Sequence, residues 1–198
     1  MTQLAQIMLF ALLAVTAENL LFIGGLGFSR VIRAARKPKT IWRYSLLVGI
    51  FTFVSTLCGI GLNALLEPAF QTFSMLRTVV FAVCTTVAYL IAVLVLRRFL
   101  PKWYRGVKPF LASSAINTIV LSMPFLQHTV NMDVWQALGY SIGTGVAFLF
   151  ASGVLARALA RYKSADVPRA FRGFPSILIY IGVLSMALFG LTGGKLFF

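Results

Sequence analysis

Acidic residues are scarce in this 198-residue chain: four Asp and Glu stand against 18 Lys and Arg, and charged residues of all kinds make up 11%. So little charge, with 60% hydrophobic residues and a mean hydropathy of +0.92, excludes a water-soluble globular fold. Histidine occurs once, at His128, without companions that would make it a metal ligand. Cysteine occurs twice, at Cys58 and Cys84. Two cysteines are too few for a disulfide framework, and in apolar helical context they have no metal-ligand spacing; a free Cys there behaves as a small hydrophobe. Also missing are a Gly-rich nucleotide motif in convincing context, a flavin-attachment signal and a nucleophile–base set, so the chain carries no signal of nucleotide, flavin or nucleophilic chemistry of its own.

What is present is apolar length. Runs cover about 3–28, 44–66, 76–96, 109–127, 135–156 and 174–194, and roughly 20 apolar residues cross a bilayer as a helix. The expectation is an all-α membrane protein, one polytopic domain over 1–198, with six transmembrane helices and short loops. Val15-Thr16-Ala17 could pass for a signal-peptide cleavage site, but the start lacks a basic region and the apolar run continues to Phe28, so span one is expected to be retained.

The cations choose a side. Arg30, Arg33, Arg36, Lys37, Lys39 and Arg43 fall in the first loop, Arg97, Arg98, Lys102, Arg105 and Lys108 in the third, and Arg157, Arg161, Lys163, Arg169 and Arg172 in the fifth. Only Arg77 and Lys195 fall on the other face, so the positive-inside rule predicts cytoplasmic odd loops and both termini outside. Glu67 and Asp133 fall on the outer side, and Trp42, Trp103, Tyr104 and Trp135 sit at span ends like an interfacial belt. A net charge of +14 spread over loops at one face is explained by topology and anionic headgroups, so no nucleic acid is expected as a partner.

Three spans followed by three place the second half upside down relative to the first, so the halves, about 1–100 and 101–198, read as inverted repeats. Ala17-Glu18-Asn19-Leu20-Leu21 in span one has a faint echo in Ala115-Ile116-Asn117-Thr118-Ile119 in span four. First helices of such halves are often broken near the midplane where they line a site, and spans one and four are expected to break there. Gly24, Gly25 and Gly27, and Ser113, Ser114, Ser122 and Pro124 around Asn117, would permit breaks; close helix packing is the competing role for such small residues. Glu18 is the one acid predicted inside a span, where a carboxylate is costly enough to be a functional candidate, as carrier of a proton or sodium ion or as a hydrogen-bonded register pin.

The segment Ala165-Asp166-Val167-Pro168-Arg169-Ala170-Phe171-Arg172-Gly173, just before the last span, resembles the D-V-P-x-x-F/L-R-G junction of the small integral subunits of the Rnf complex and of sodium-pumping NADH:quinone reductase. Further matches follow in order: Glu18-Asn19 through Leu26-Gly27 to Arg36-Lys37, then Leu100-Pro101-x-x-Tyr104 with Phe110-Leu111, then Tyr140-x-x-Gly143-x-Gly145-Val146. Within this Rnf/Nqr family the chain is most similar to the RnfA and NqrE side. The resemblance implies an integral subunit of a redox-driven ion-translocating electron transport complex in a bacterial or archaeal cytoplasmic (inner) membrane. Its partners would include a homologous membrane subunit, and it would be non-catalytic alone.

The resemblance also implies a 2Fe–2S cluster shared between two such subunits, each giving one Cys from broken span one and one from broken span four. Here those positions hold Ser29 and Thr118, and hydroxyl oxygen is a poor, harder substitute for thiolate. No cofactor is therefore expected to be bound by this chain in the usual way, and a shared cluster is disfavoured. The candidate intramembrane or ion site is Glu18, Asn19, Gly27, Ser29, Asn117 and Thr118. Asp166 is expected to cap the last span or pair with Arg169 or Arg172, with docking of a cytoplasmic partner as the other use of these three. Alternatives to this role in a complex are a cluster-free paralogue acting as a small-ion or solute transporter, and a structural or assembly subunit.

Overall fold

The structure is a computed structural model that describes residues 3–16, 19–22, 24–72, 74–161, 168, 171 and 173–191. Among the described residues every regular element is helical: α1 (Gln3–Val15), α2 (Phe28–Ala35), α3 (Ile41–Thr72), α4 (Ser74–Phe99), α5 (Pro101–Ala115), α6 (Thr118–Thr129), α7 (Val134–Arg161) and α8 (Phe174–Leu191), with a short 3₁₀ turn at Pro38–Thr40. Among the described residues three stretches are helical, long and apolar enough to cross a bilayer: Pro38–Leu66, Leu76–Phe99 and Val134–Arg161. α5 and α6 qualify as a fourth if counted together, bent by 47° at their junction, while α1 and α8 are shorter apolar helices.

The apolar run 3–28 is interrupted, as expected of span one: α1 ends at Val15 and the next described helix, α2, begins at Phe28. Other boundaries differ from the sequence expectation. Arg30 and Arg33, counted as loop cations, lie on α2, and Lys102, Arg105 and Lys108 lie inside α5, which starts at Pro101 rather than near 109. Helices extend past their apolar cores because charged side chains with long stems are good helix formers and carry their heads to water.

α7 is the central helix. Glycines spaced four apart on one of its faces, Gly139 and Gly143, lie directly against the α1 backbone at Ile7 and Ala11, leaving no space for a β-carbon at either position. On another face Gly145 meets Gly49 of α3, where an added β-carbon would stand 2.8 Å from the Gly49 Cα. In an apolar solvent no hydrophobic force drives helices together, so such small residues gain dispersion contact by letting backbones approach. The α1, α2 and α3 helices all pack on α7. α4, by contrast, is peripheral: little of its apolar stretch is buried, whereas nearly half of the corresponding stretches of α3 and α7 is.

Candidate functional site

Two interruptions in helical structure define the candidate site. Asn19 organises the first. Its side chain, fully buried, donates from Nδ2 to the Val15 carbonyl at 2.9 Å, and its Oδ1 accepts from the backbone N–H groups of Leu21 at 3.0 Å and Phe22 at 3.4 Å. One side chain thus serves the last carbonyl of α1 and two orphan donors of the turn that follows, groups that would otherwise be buried unpaired. The Leu26 N–H closes the loop onto the Leu20 carbonyl at 3.0 Å. Leu21 and Phe22, outside any helix, are buried in the main apolar cluster beside Tyr44, Ile119 and Phe148. The backbone then turns through Gly25 (φ 65°) and Gly27 (φ 73°), left-handed conformations that favour glycine, and Gly27 caps the start of α2.

The second interruption lies between Ala115 and Thr118. Ile116 leaves helical geometry at φ −89°, ψ 71°, and α6 restarts at Thr118 with Asn117 preceding it. Ser113 and Ser114 belong to the last turn of α5, whereas Ser122 and Pro124, expected near the break, lie inside α6. Pro124 instead packs against Gly59 of α3.

The two interruptions meet. A β-carbon on Gly27 would stand 2.6 Å from Ile119 Cδ1 and 3.1 Å from Asn117 Oδ1, so the glycine seats the start of α2 against the start of α6. Both helices thereby bring their N-terminal ends, with free N–H groups and the positive pole of the backbone dipole, to one place. Arg30, one turn into α2, adds a cation and ties the elements: its guanidinium donates to Ser113 Oγ at 2.9 Å, and the Tyr44 hydroxyl donates to the Ser113 carbonyl at 2.9 Å. This Arg30–Ser113–Tyr44 link was not legible in the sequence, where Arg30 read as one loop cation among six.

Of the expected site residues, Asn19 and Gly27 are buried within the first interruption; Ser29 is exposed in the first turn of α2. Thr118 is exposed at the head of α6, next to the exposed Ile116. Asn117 is 1% exposed, yet neither its Oδ1 nor its Nδ2 has a hydrogen-bond partner, an unusual state for a buried amide. Glu18, Asp166, Arg169 and Arg172 lie outside the described residues. The field of two helix N-termini and Arg30 favours negative charge at the junction; a cation there would need the Glu18 carboxylate beside it.

The donors at the junction do not suit an iron–sulfur cluster. Ser29 and Thr118 offer hydroxyls whose pKa values lie far above that of a thiol, and iron–sulfur ligation depends on thiolate. The two cysteines are elsewhere, on α3 and α4, and among the described residues no group of three or more His, Cys, Asp or Glu side chains could hold a metal ion.

Comparison with known proteins agrees with this architecture. Residues 7–194 match the family described as "Rnf-Nqr subunit, membrane protein". The chain is 29% identical over 196 residues to a subunit of the ion-translocating oxidoreductase complex of Pseudomonas aeruginosa, covering 98% of each chain. It is 25% identical over 191 residues to the subunit of the same name from Hahella chejuensis, covering 96% of this chain and 98% of the relative. A subunit of the proton-translocating ferredoxin:NAD(+) oxidoreductase complex of Clostridium ljungdahlii is 28% identical over 147 residues, 74% of this chain and 75% of that one. A match across nearly the whole length, on a helical chain with apolar spans, means that this protein belongs to the Rnf-Nqr family of membrane subunits.

Proposed function

We propose that this chain is a multi-pass subunit of a redox-driven, ion-translocating electron transport complex, and that it joins a homologous membrane subunit through the face where its two helix breaks meet. The observation that carries the pairing is the juxtaposition of Gly27 with Asn117 and Ile119, which leaves Ser29, Ile116 and Thr118 exposed on the outside of an otherwise buried polar junction. An exposed junction of helix N-termini with a buried, unpartnered Asn117 is completed by a second surface laid over it.

In this reading the chain is one domain with six spans, formed by α1 with α2, α3, α4, α5 with α6, α7, and α8, arranged as inverted halves. The odd-numbered loops face the cytoplasm and both termini face outward across a bacterial inner membrane. Asn19, Gly27, Ser29, Asn117 and Thr118 belong to the junction, and Glu18, next to Asn19 in the chain, is the candidate ion carrier of the same site. Asp166, Arg169 and Arg172 form a cytoplasmic docking segment before α8. No redox step is assigned to Ser29 or Thr118; electron carriers belong to the partners. The absence of thiolate at both positions also supports a second reading, a cluster-free paralogue working as a small-ion or solute transporter or in assembly.

Isolating the tagged full-length chain in mild detergent separates the two. Co-purifying subunits would be identified, iron and acid-labile sulfide measured, and EPR spectra taken after dithionite reduction. The complex reading expects a homologous membrane subunit, with any cluster iron lost when that partner's cysteines are replaced and unchanged by Ser29→Ala or Thr118→Ala. Isolation without such a partner and without iron would refute the complex reading and support the cluster-free one.

A further inference from the structure

We infer that the groove between α3 and α7 holds one anionic glycerophospholipid, its acyl chain over the glycine crossing and its phosphate at the basic ends of the two helices. The groove has a volume of about 250 Å³ and is lined by apolar residues with one polar exception, Ser45. Its floor is the close approach of Gly49 and Gly145. Its walls are Leu46 and Ile50 on α3 and Ile142 and Val146 on α7, all exposed. Sites for compact, drug-sized ligands run to about 300–1,000 Å³. A smaller trough between exposed apolar walls fits a single chain of a larger amphiphile instead.

Ser45 calls for an occupant that carries an acceptor. The residue is 4% exposed, yet its hydroxyl has no hydrogen-bond partner. A helical serine ordinarily returns its hydroxyl to a carbonyl three or four residues back, as Ser141 does to Leu138 and Ser152 to Phe148 on α7. With no bond to hold its rotamer, the Ser45 hydroxyl can turn about χ1 and donate to an acceptor in the groove. Polarity then runs in one order along the groove. Trp42, nearest the start of α3, is 65% exposed, and an amphipathic ring in that position marks the boundary between hydrocarbon and headgroups. Lys39 lies three residues before Trp42, in the short turn that leads into α3, and Arg157 lies eight residues after Leu149 on α7, spacings that keep each on the helix face of its groove residue. Both cations are exposed. At 1.5 Å per residue, Arg157 stands roughly 12 Å beyond Leu149. Cations, then an aromatic ring, then one hydroxyl, then apolar walls over glycine match phosphate, glycerol ester and acyl chain taken from the membrane surface inward. Lys39 and Arg157 thus select an anionic headgroup, and Ser45 takes the ester carbonyl. No residue of the helix-break junction lines this groove, so the site does not depend on the proposed pairing.

The test is native mass spectrometry of the delipidated full-length chain, titrated with dioleoyl phosphatidylglycerol or with the phosphatidylcholine of the same chains. One phosphatidylglycerol per chain should bind ahead of the choline lipid. A surface cation is worth roughly fivefold in attraction to an anionic lipid, so Lys39→Gln combined with Arg157→Gln should cut that preference about 25-fold and leave phosphatidylcholine binding unchanged. Ser45→Ala should weaken both ester lipids by the same factor, roughly 2–10-fold for one hydrogen bond, and leave an ether-linked phosphatidylglycerol, which has no ester carbonyl, unaffected. Leu46→Trp fills the groove from an exposed position and should abolish the first adduct. Equal binding of the two ester lipids by the wild type, or an equal loss of ester and ether lipid in Ser45→Ala, would overturn the inference. Retention of the first adduct in Leu46→Trp would do the same. A diazirine amino acid in place of Leu46, irradiated in intact membranes, should acquire phospholipid mass; a crosslink there to another polypeptide would give the groove to a neighbouring helix and overturn the lipid.

Discussion

Substituting Gly27 by alanine tests whether the two helix breaks are locked together. Two separate costs are expected. The first is backbone: at φ 73° an L side chain is held in the left-handed region, costing about 1–2 kcal/mol. The second is steric, because the new methyl would stand 2.6 Å from Ile119 Cδ1 and 2.8 Å from its Cγ1, and overpacking of that kind costs about 1–3 kcal/mol. The total is about 2–5 kcal/mol. Gly25→Ala isolates the first cost, since Gly25 has φ 65° but no atom within 4 Å of an added β-carbon. Thermal unfolding in one detergent, followed by size-exclusion recovery, should therefore rank wild type above Gly25→Ala and Gly25→Ala above Gly27→Ala. Ile119→Val removes Cδ1, costs about 0.5–1.5 kcal/mol in the wild type, and should cost less or become favourable in the Gly27→Ala background. Strict additivity of the two substitutions, or equal melting of the two glycine variants, would refute the contact between α2 and α6.

Replacing Asn19 by alanine leaves two buried N–H donors and one carbonyl without their partner, and should destabilise the protein by about 2–4 kcal/mol at roughly 1 kcal/mol or more for each; loss of monodisperse protein after detergent extraction would report it. Asn117→Leu removes an amide whose polar atoms are unsatisfied while buried, so the isolated chain should melt no lower than wild type, while recovery of the homologous partner should fall; unchanged partner recovery would count against a partner-completed junction. Tyr44→Phe deletes the hydrogen bond to Ser113 and should cost about 0.5–1.5 kcal/mol in the same melts. Gly143→Leu drives a side chain into the α1 backbone, and increased protease accessibility of the first helix is the expected readout, with unchanged digestion contradicting the α1–α7 contact.

The apolar runs were legible because bilayer thickness imposes a length that composition reveals directly, and all six contain helix in the structure. The break in the fourth run was legible from Asn117 and its small neighbours, but its cause was misplaced: the chain leaves the helix at Ile116, while Pro124 sits inside α6 and fits against Gly59. Asn19 read as a spare oxygen for an ion, yet its amide is already engaged with backbone at both ends. Sequence spacing does not say which buried polar atom is already satisfied. Gly139 and Gly143 stand four apart, as close-packing glycines do, but nothing in that spacing names the helix that lies against them.

The lodging of α1 on the glycines of α7 has a consequence for how the protein is made. α1 leaves the ribosome roughly 120 residues ahead of its principal neighbour, since α1 ends at Val15 and α7 begins at Val134. At about 5–20 residues per second of synthesis that is a wait on the order of 6–24 s. During that interval α1 and the polar turn around Asn19 must be sheltered by lipid, by the insertion machinery or by a helix that is not their final neighbour. Biogenesis of this protein is thus expected to depend most on its middle helices arriving promptly, and a pause in translation between α6 and α7 should trap a nascent chain whose first helix is still unmoored.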